Sequence, residues 1–213
     1  MMAMPRSFEP EILDADDVPR DIVERAHRGL RLTHTLLGNR AAILHALRSG
    51  PPIGRVLDVG CGHGGMLADI RARLSIDVIG ADLKPPAHPP VPIVQADVTR
   101  DALPQADAAI SICLAHHLTD DQFVDLVRNV GRSCRRFVIL DLVRSRIPLT
   151  LFRVAAPLVL PPVNVADGLQ SIRRAFTPQE FRALVGRAIE GAPFRHTVAP
   201  FYIRQIADIT YPA

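Results

Sequence analysis

The chain has no tryptophan and only two tyrosines among its 213 residues. Platforms on which nucleobases stack are therefore scarce. Cysteine is scarce as well. Cys61, Cys113 and Cys134 fit no zinc spacing, and an odd count argues against a disulfide framework. A reducing, cytoplasmic setting is the simplest expectation. Long unbroken apolar runs are missing: the most apolar stretch, Ile147 to Val165, carries Arg153 and the prolines Pro148, Pro157, Pro161 and Pro162, which makes it a poor membrane span. The opening MMAMPRSFEP has no apolar signal core. A large excess of one charge is missing too. The net charge is +3, from 25 basic against 22 acidic residues, and the arginines are spread along the chain without a basic tail, so nucleic acid is not the expected partner.

What remains is a length suited to one domain with a sizeable core, with 48% hydrophobic and 22% charged residues, ordinary for a soluble globular protein. Residues 1–10 read as a loose leader. Two helices are predicted at about 17–28 and 30–49, the second from Leu32, Leu36, Leu37, Ile43, Leu44 and Leu47 at near-helical spacing. Short apolar strands follow at 55–59, 76–81, 93–96, 106–114 and 136–142. Helices are predicted between the first two (64–74) and between the last two (120–130). Residues 84–92, KPPAHPPVP, hold five prolines, so an extended loop is expected there in place of a helix. Residues 144–170 form an apolar, proline-interrupted insertion. Thr177-Pro178-Gln179-Glu180 has the signature of a helix start, and 193–198 and 201–206 read as a closing pair of strands. Alternation of strand and helix implies an α/β fold, a mostly parallel sheet with helices on both faces.

The first strand runs into Gly60-Cys61-Gly62-His63-Gly64-Gly65. Gly60, Gly62 and Gly65 satisfy the dinucleotide pattern GxGxxG. The same stretch has Asp58 two residues ahead of the first glycine, a form suited to an adenosyl cofactor with a cationic methionyl end. In both cases the glycines allow a sharp turn and close approach of backbone to ligand. Asp82, at the end of the second strand, is placed to accept hydrogen bonds from ribose hydroxyls. Three features favour the adenosyl sulfonium. A pyrophosphate gains nothing from Asp58. Asp97, after the third strand, can accept an adenine amino hydrogen while Val98 covers the ring. No second lobe is left for a dehydrogenase substrate.

With VLDVGCGHGG, IGADLKP and QADVTR in hand, the sequence resembles the class I S-adenosylmethionine (SAM)-dependent methyltransferases, in their Methyltransf_11/12-like or quinone-biosynthesis-like branches. The resemblance covers about Arg55 to Leu142 and weakens toward the C-terminus. It implies a Rossmann-like seven-stranded sheet closed by a reversed hairpin. It also implies an N-terminal helical cover (1–50), a cofactor core (53–142), a lid-like insertion after strand five (144–170) and a C-terminal helix with a strand pair (177–213). It implies SAM as cofactor, S-adenosylhomocysteine (SAH) as product, and contacts from Asp58, Gly60, Cys61, Gly62, Asp82, Leu83, Asp97, Val98 and Leu114. The proline-rich loop after Asp82 departs from the family pattern.

On the acceptor side, His116 and His117 lie just past the fourth strand, at the carboxyl edge where open α/β sheets bind ligands. One imidazole is expected to take the proton of an acceptor hydroxyl. A histidine pair also suits a metal, but no carboxylate at a suitable spacing completes a set, so no metal is expected. Nor does the Asp-Asn pair of magnesium-dependent catechol methyltransferases occur, since Leu142 follows Asp141. Asp141, Arg144, Phe152 and Arg173 are the candidate substrate contacts. Leu149, Phe152, Leu158, Val159 and Leu160 would wall an apolar acceptor, and Arg31 and His34 are candidates to face the cofactor carboxylate. The expectation is methyl transfer to a hydroxyl of a small, partly apolar metabolite such as a phenol, quinol or polyketide. The alternatives are C- or N-methylation and, in another class, a non-catalytic binding protein. The expected partner is that small molecule, with no nucleic acid or integral membrane association. A homodimer is left open.

Overall fold

The computed structural model describes residues 4–15 and 17–212. Seven α-helices occur among them: α1 (Arg20–Leu36), α2 (Asn39–Arg48), α3 (Gly65–Leu74), α4 (Asp120–Val130), α5 (Arg146–Ala155), α6 (Pro162–Arg174) and α7 (Pro178–Ala188). The strands are β1 (Arg55–Val59), β2 (Asp77–Asp82), β3 (Ile93–Gln95), β4 (Ala106–Ile112), β5 (Cys134–Asp141), β6 (Phe194–Val198) and β7 (Gln205–Thr210). They form one sheet in the order β3-β2-β1-β4-β5-β7-β6. β1 to β5 are parallel, and β7 runs antiparallel to β5 and β6. The expected seven-stranded α/β sheet with a reversed closing pair is thus the observed one.

Because the central strands are covered on both faces, their sequences are apolar at nearly every position. Val56, Ile110, Val138 and Leu140 join one core with Ile43, Leu44 and Leu47 of α2 and Leu67 and Ile70 of α3. The alternate residues Leu57, Val59, Ala109, Phe137 and Ile139 join the other core with Phe123, Leu126 and Val127 of α4 and Phe181 and Val185 of α7. Phe123 packs between Phe176 and Phe181 at ring separations of 5.3 and 5.2 Å. α7 starts as its sequence dictates: Thr177 accepts from the Glu180 amide, and the Glu180 side chain bonds back to the Thr177 amide. The parallel strands all deliver their carboxyl ends to one edge, where the functional residues collect.

Three local readings need correction. The leader is not loose. Arg6 bonds the carbonyls of Arg174 and Leu118 and the Asp120 carboxylate, its guanidinium lies over the Phe176 ring, and the Ile12 and Leu13 amides donate to Asp167 of α6. The helix expected at 30–49 breaks at Gly38, whose φ of +70° ends α1 and starts α2. The last strand starts at Gln205, because Phe201 and Tyr202, both at φ +57°, turn the chain through a short 3-10 segment. The proline-rich 84–92 segment connects β2 to β3 without a helix, as read, and the Pro92 carbonyl accepts from the Gly80 amide. Among the described residues, no helix is long and apolar enough to cross a membrane.

Candidate active site

The glycine loop is built at the end of β1. The Gly60 amide donates to the Ala81 carbonyl (2.8 Å), which turns the chain toward β2. Gly60 has φ +73°, and a Cβ there would lie 2.8 Å from the end of the Leu114 side chain, so this turn excludes a larger residue twice over. Gly62, at φ +53°, donates its amide to Asp82 Oδ2 (2.7 Å), while the direction its Cβ would take is open space. Asp82 Oδ1 accepts the Lys84 amide (2.9 Å). Asp82 therefore pins the loop and stays partly exposed at the strand end. Cys61 lies against Gly80, and its thiol is pushed far up by burial and by Asp58 and Asp82. Leu83 is 58% exposed beside the loop.

Asp58 is 3% exposed, and its Oδ1 has no hydrogen-bond partner. Burial first, and the negative charge of Asp82 second, push its pKa well above the usual carboxylate range. Buried polar atoms are nearly always paired, so an orphaned carboxylate oxygen beside a glycine loop fits a cationic ligand. Asp97 is engaged within its own loop: Oδ1 accepts the Thr99 amide (3.0 Å) and hydroxyl (2.6 Å), and Oδ2 pairs with Arg100 (3.1 Å). Val98, expected to cover an adenine, is buried in the core with only 7% exposed.

On the other side of Leu114, the chain makes a 3-10 turn, Ala115–His117. Asp141, closing β5, holds it from behind. Its Oδ2 accepts the His116 amide (2.9 Å), and its Oδ1 accepts His116 Nδ1 (2.7 Å) and the Leu142 amide (2.6 Å). His116 Nε2 then faces Glu11 Oε1 at 3.6 Å, and His117 Nε2 faces the same oxygen at 3.8 Å. His117 Nδ1 lies 3.5 Å from Asp14. Glu11 accepts the Ser171 hydroxyl (2.8 Å), and Asp14 pairs with Arg174 (2.8 Å). Burial alone would lower the His116 pKa, but Asp141 and Glu11 outweigh it and raise it to about 9. Burial and the neighbouring His116 push His117 down to about 4. Burial opposes ionisation of Glu11, but the two histidines and Ser171 hold its pKa below the usual value.

The sequence reading missed Glu11 and Asp14. Their signal is the acid–apolar–apolar–acid run Glu11-Ile12-Leu13-Asp14, between the leader read at 1–10 and the first predicted helix at about 17–28. Glu11 also supplies the carboxylate that sequence spacing could not find: suitable ligand atoms of Glu11, His116 and His117 lie within 4.8 Å of one another. Two expected substrate contacts are corrected. Asp141 is 1% exposed and is bound to His116. Arg144 is 5% exposed and ties the carbonyls of Met4 and Ala175 to Glu180. Phe152 packs its ring on Gly168 of α6. Arg173 is half-buried, and its guanidinium makes no hydrogen bond or ion pair among the described residues. The insertion forms α5, a 3-10 turn and α6. Leu158 (82% exposed) and Val159 (56%) sit on its outside, while Leu149, Phe152 and Leu160 are partly buried. Arg31 is exposed, and the His34 ring bonds Asn39 (3.2 Å).

A parallel sheet with a reversed last strand, a glycine loop after β1 and acids in β1 and at the end of β2 make up the fold of the class I methyltransferases. A family model described as a methyltransferase domain matches residues 56–136. The chain carries a stretch that matches a methyltransferase domain, set in the fold of the class I SAM-dependent methyltransferases, and SAM is the cofactor to which that likeness points. No curated protein matches it by sequence. Among solved structures, it is similar to the plantazolicin methyltransferase BpumL, solved with SAH and a monoazolic desmethyl analogue. That match has a TM-score of 0.69 and 14% identity and covers 92% of this chain and 91% of that one. The methyltransferase domain of a bacterial Hen1 matches at TM-score 0.57 and 17% identity, over 84% of this chain and 99% of that one. Human N-acetylserotonin methyltransferase in complex with SAM matches at TM-score 0.60 and 16% identity, over 98% of this chain and 63% of that one. At these identities the likeness is one of fold.

Proposed function

We propose that the enzyme transfers the SAM methyl group to a hydroxyl of a small, partly apolar acceptor of the phenol, quinol or polyketide type. The observation that carries this reading is the Glu11–His116–His117 group, its histidines two and three residues beyond the Leu114 that packs on Gly60. Methyl transfer from a sulfonium needs alignment above all. An alcohol or phenol needs, in addition, somewhere for its proton to go. Glu11 and His117 offer that place. His116, clamped by Asp141, positions both. The partly buried apolar side chains Leu149, Phe152 and Leu160 of the insertion suit an acceptor with an apolar body. The human N-acetylserotonin methyltransferase shows that a chain of this fold is named for a small-molecule substrate.

The test uses isotopically labelled SAM with a panel of phenols, quinols and polyketide-like enols, and amine analogues of each. Methyl ethers should form. His117→Ala should lower kcat by about 10²–10⁴-fold while the SAM dissociation constant stays within twofold of the parent, roughly the scatter expected for a distant change. Methylation confined to nitrogen or carbon would overturn the hydroxyl reading. Absence of any turnover, with SAM bound, would favour a binding protein.

A further inference from the structure

We infer that Glu11, His116 and His117 form a binding site for one divalent first-row transition ion, such as Zn²⁺ or Co²⁺, open on the acceptor side. The inference rests on the proposed function for its purpose, but its geometry stands alone. One Glu11 oxygen lies 3.6 Å from His116 Nε2 and 3.8 Å from His117 Nε2. Both separations exceed a hydrogen bond. Two ligand atoms each about 2.1 Å from a tetrahedral ion lie about 3.4 Å apart, close to the two separations from Glu11, and all three ligand atoms lie within 4.8 Å of one another, so the histidines draw together as the ion seats. The three side chains converge on this one oxygen within ion-pair distance.

Each is instead fixed from behind. Asp141 Oδ1 accepts a hydrogen bond from His116 Nδ1 at 2.7 Å, which aims Nε2 toward Glu11. Asp14 stands 3.5 Å from Nδ1 of His117, and the Ser171 hydroxyl donates at 2.8 Å to the same Glu11 Oε1 that faces the histidines, holding that oxygen in place and leaving it a second lone pair. Carboxylates behind ligating imidazoles are the usual second layer of a metal site, where they set tautomer and ring orientation. The parts come from the N-terminal segment, the turn after β4, the end of β5 and α6, and are locked together by Asp167 on the Ile12 and Leu13 amides and by Arg174 on Asp14. Two imidazoles and one carboxylate select a transition ion over Mg²⁺ or Ca²⁺, which take oxygen ligands. Three protein ligands leave a coordination position free. An acceptor hydroxyl seated there is acidified by the ion and releases its proton to solvent. The oxygen anion then takes the methyl group, and the SAM sulfonium becomes the neutral thioether of SAH. With the ion seated, Glu11 and the histidines act on the hydroxyl through it.

Untagged protein stripped with a chelator and titrated with Co²⁺ should bind one ion per chain, with ligand-field absorption in the visible and displacement by Zn²⁺. Asp141→Asn, which removes the carboxylate behind the His116 ring and keeps an oxygen for the backbone amides at the end of β5, should weaken Co²⁺ by about 10–100-fold. Glu11→Gln and the partly exposed His117→Ala should weaken it further while SAM binding and circular dichroism are retained. No saturable Co²⁺ absorption, or His117→Ala titrating like the parent, would overturn the site. Stripped protein that methylates hydroxyls at full rate overturns the site and leaves the proposed function. Stoichiometric Co²⁺ with no hydroxyl methylated overturns the function and leaves the site.

Discussion

Asp58→Asn should stabilise the ligand-free protein and weaken its grip on SAM, two effects of opposite sign from one buried carboxyl. Asp58 is 3% exposed, its Oδ1 is unpaired, and Asp82 adds like charge. An unfolded aspartate ionises near pH 3.9, whereas in the folded chain burial raises the pKa. Between those two values, the folded chain keeps a proton that the unfolded chain has lost. Stability therefore falls as pH rises across that window, and the penalty is complete above the folded pKa. Asparagine has the same shape and no proton to lose, so this slope disappears. A buried polar atom without a partner costs about 1–3 kcal/mol, more when charged. Recovering about 1 kcal/mol of that raises Tm by about 2–4 °C for a chain of this size. SAM, by contrast, brings an ammonium and a sulfonium. Losing a hydrogen bond to a charged group costs about 1.5–3 kcal/mol, or roughly 10–150-fold in Kd. The parent should bind SAM more tightly as pH rises through the folded Asp58 pKa, because the cation favours the carboxylate, and the variant should lack this trend. Thermal scans across pH with and without SAM, and calorimetry in two buffers of different ionisation heat, read all of these effects. A variant less stable than the parent at neutral pH, or one that binds SAM equally well, would refute the reasoning.

Other consequences can be checked as simply. Gly62→Ala places a methyl group in open space at φ +53°, which should cost about 1–2 kcal/mol of stability but at least about tenfold in SAM affinity if that space is the cofactor's. Gly65→Ala also meets nothing within 4 Å but lies in α3, so its Tm should hold or rise; equal SAM affinity in parent and Gly62→Ala would remove the loop assignment. Arg6→Ala deletes three hydrogen bonds and the stacking on Phe176. Residues 4–15 should become sensitive to limited proteolysis and the acceptor KM should rise, with SAM affinity unchanged; a protease-resistant variant would show that the strap does not depend on Arg6. Arg144→Lys cannot span Met4, Ala175 and Glu180 with one ammonium. Urea titration should show a loss of about 1–3 kcal/mol, the cost of a buried carbonyl left unpaired, and a loss below about 0.5 kcal/mol, the usual size of a surface change, would contradict the buried network.

The sheet was legible because its signals are local: apolar strands, glycines at their ends, a proline-filled connection where no helix can form. The acceptor side was not, because its contacts are distant in sequence. Ser171 and Glu11 are 160 residues apart and meet through one hydroxyl, and no periodicity announces that. The strand-end carboxylates show the limit most clearly. Asp58, Asp82, Asp97 and Asp141 look alike in sequence, each in or just after a parallel strand, and all four read as ligand contacts. Their neighbours sort them. Asp97 is engaged by Thr99 and Arg100, Asp141 by His116 and two amides, and Asp82 by the amides of Gly62 and Lys84. Asp58 alone among these four has a buried oxygen with no partner. A folded chain tolerates such an atom at a cost in stability, and a cationic ligand repays it. The position in sequence shows that an acid stands at the cofactor edge; only the partner each acid has, or lacks, shows which one awaits a ligand and which one holds a histidine in place.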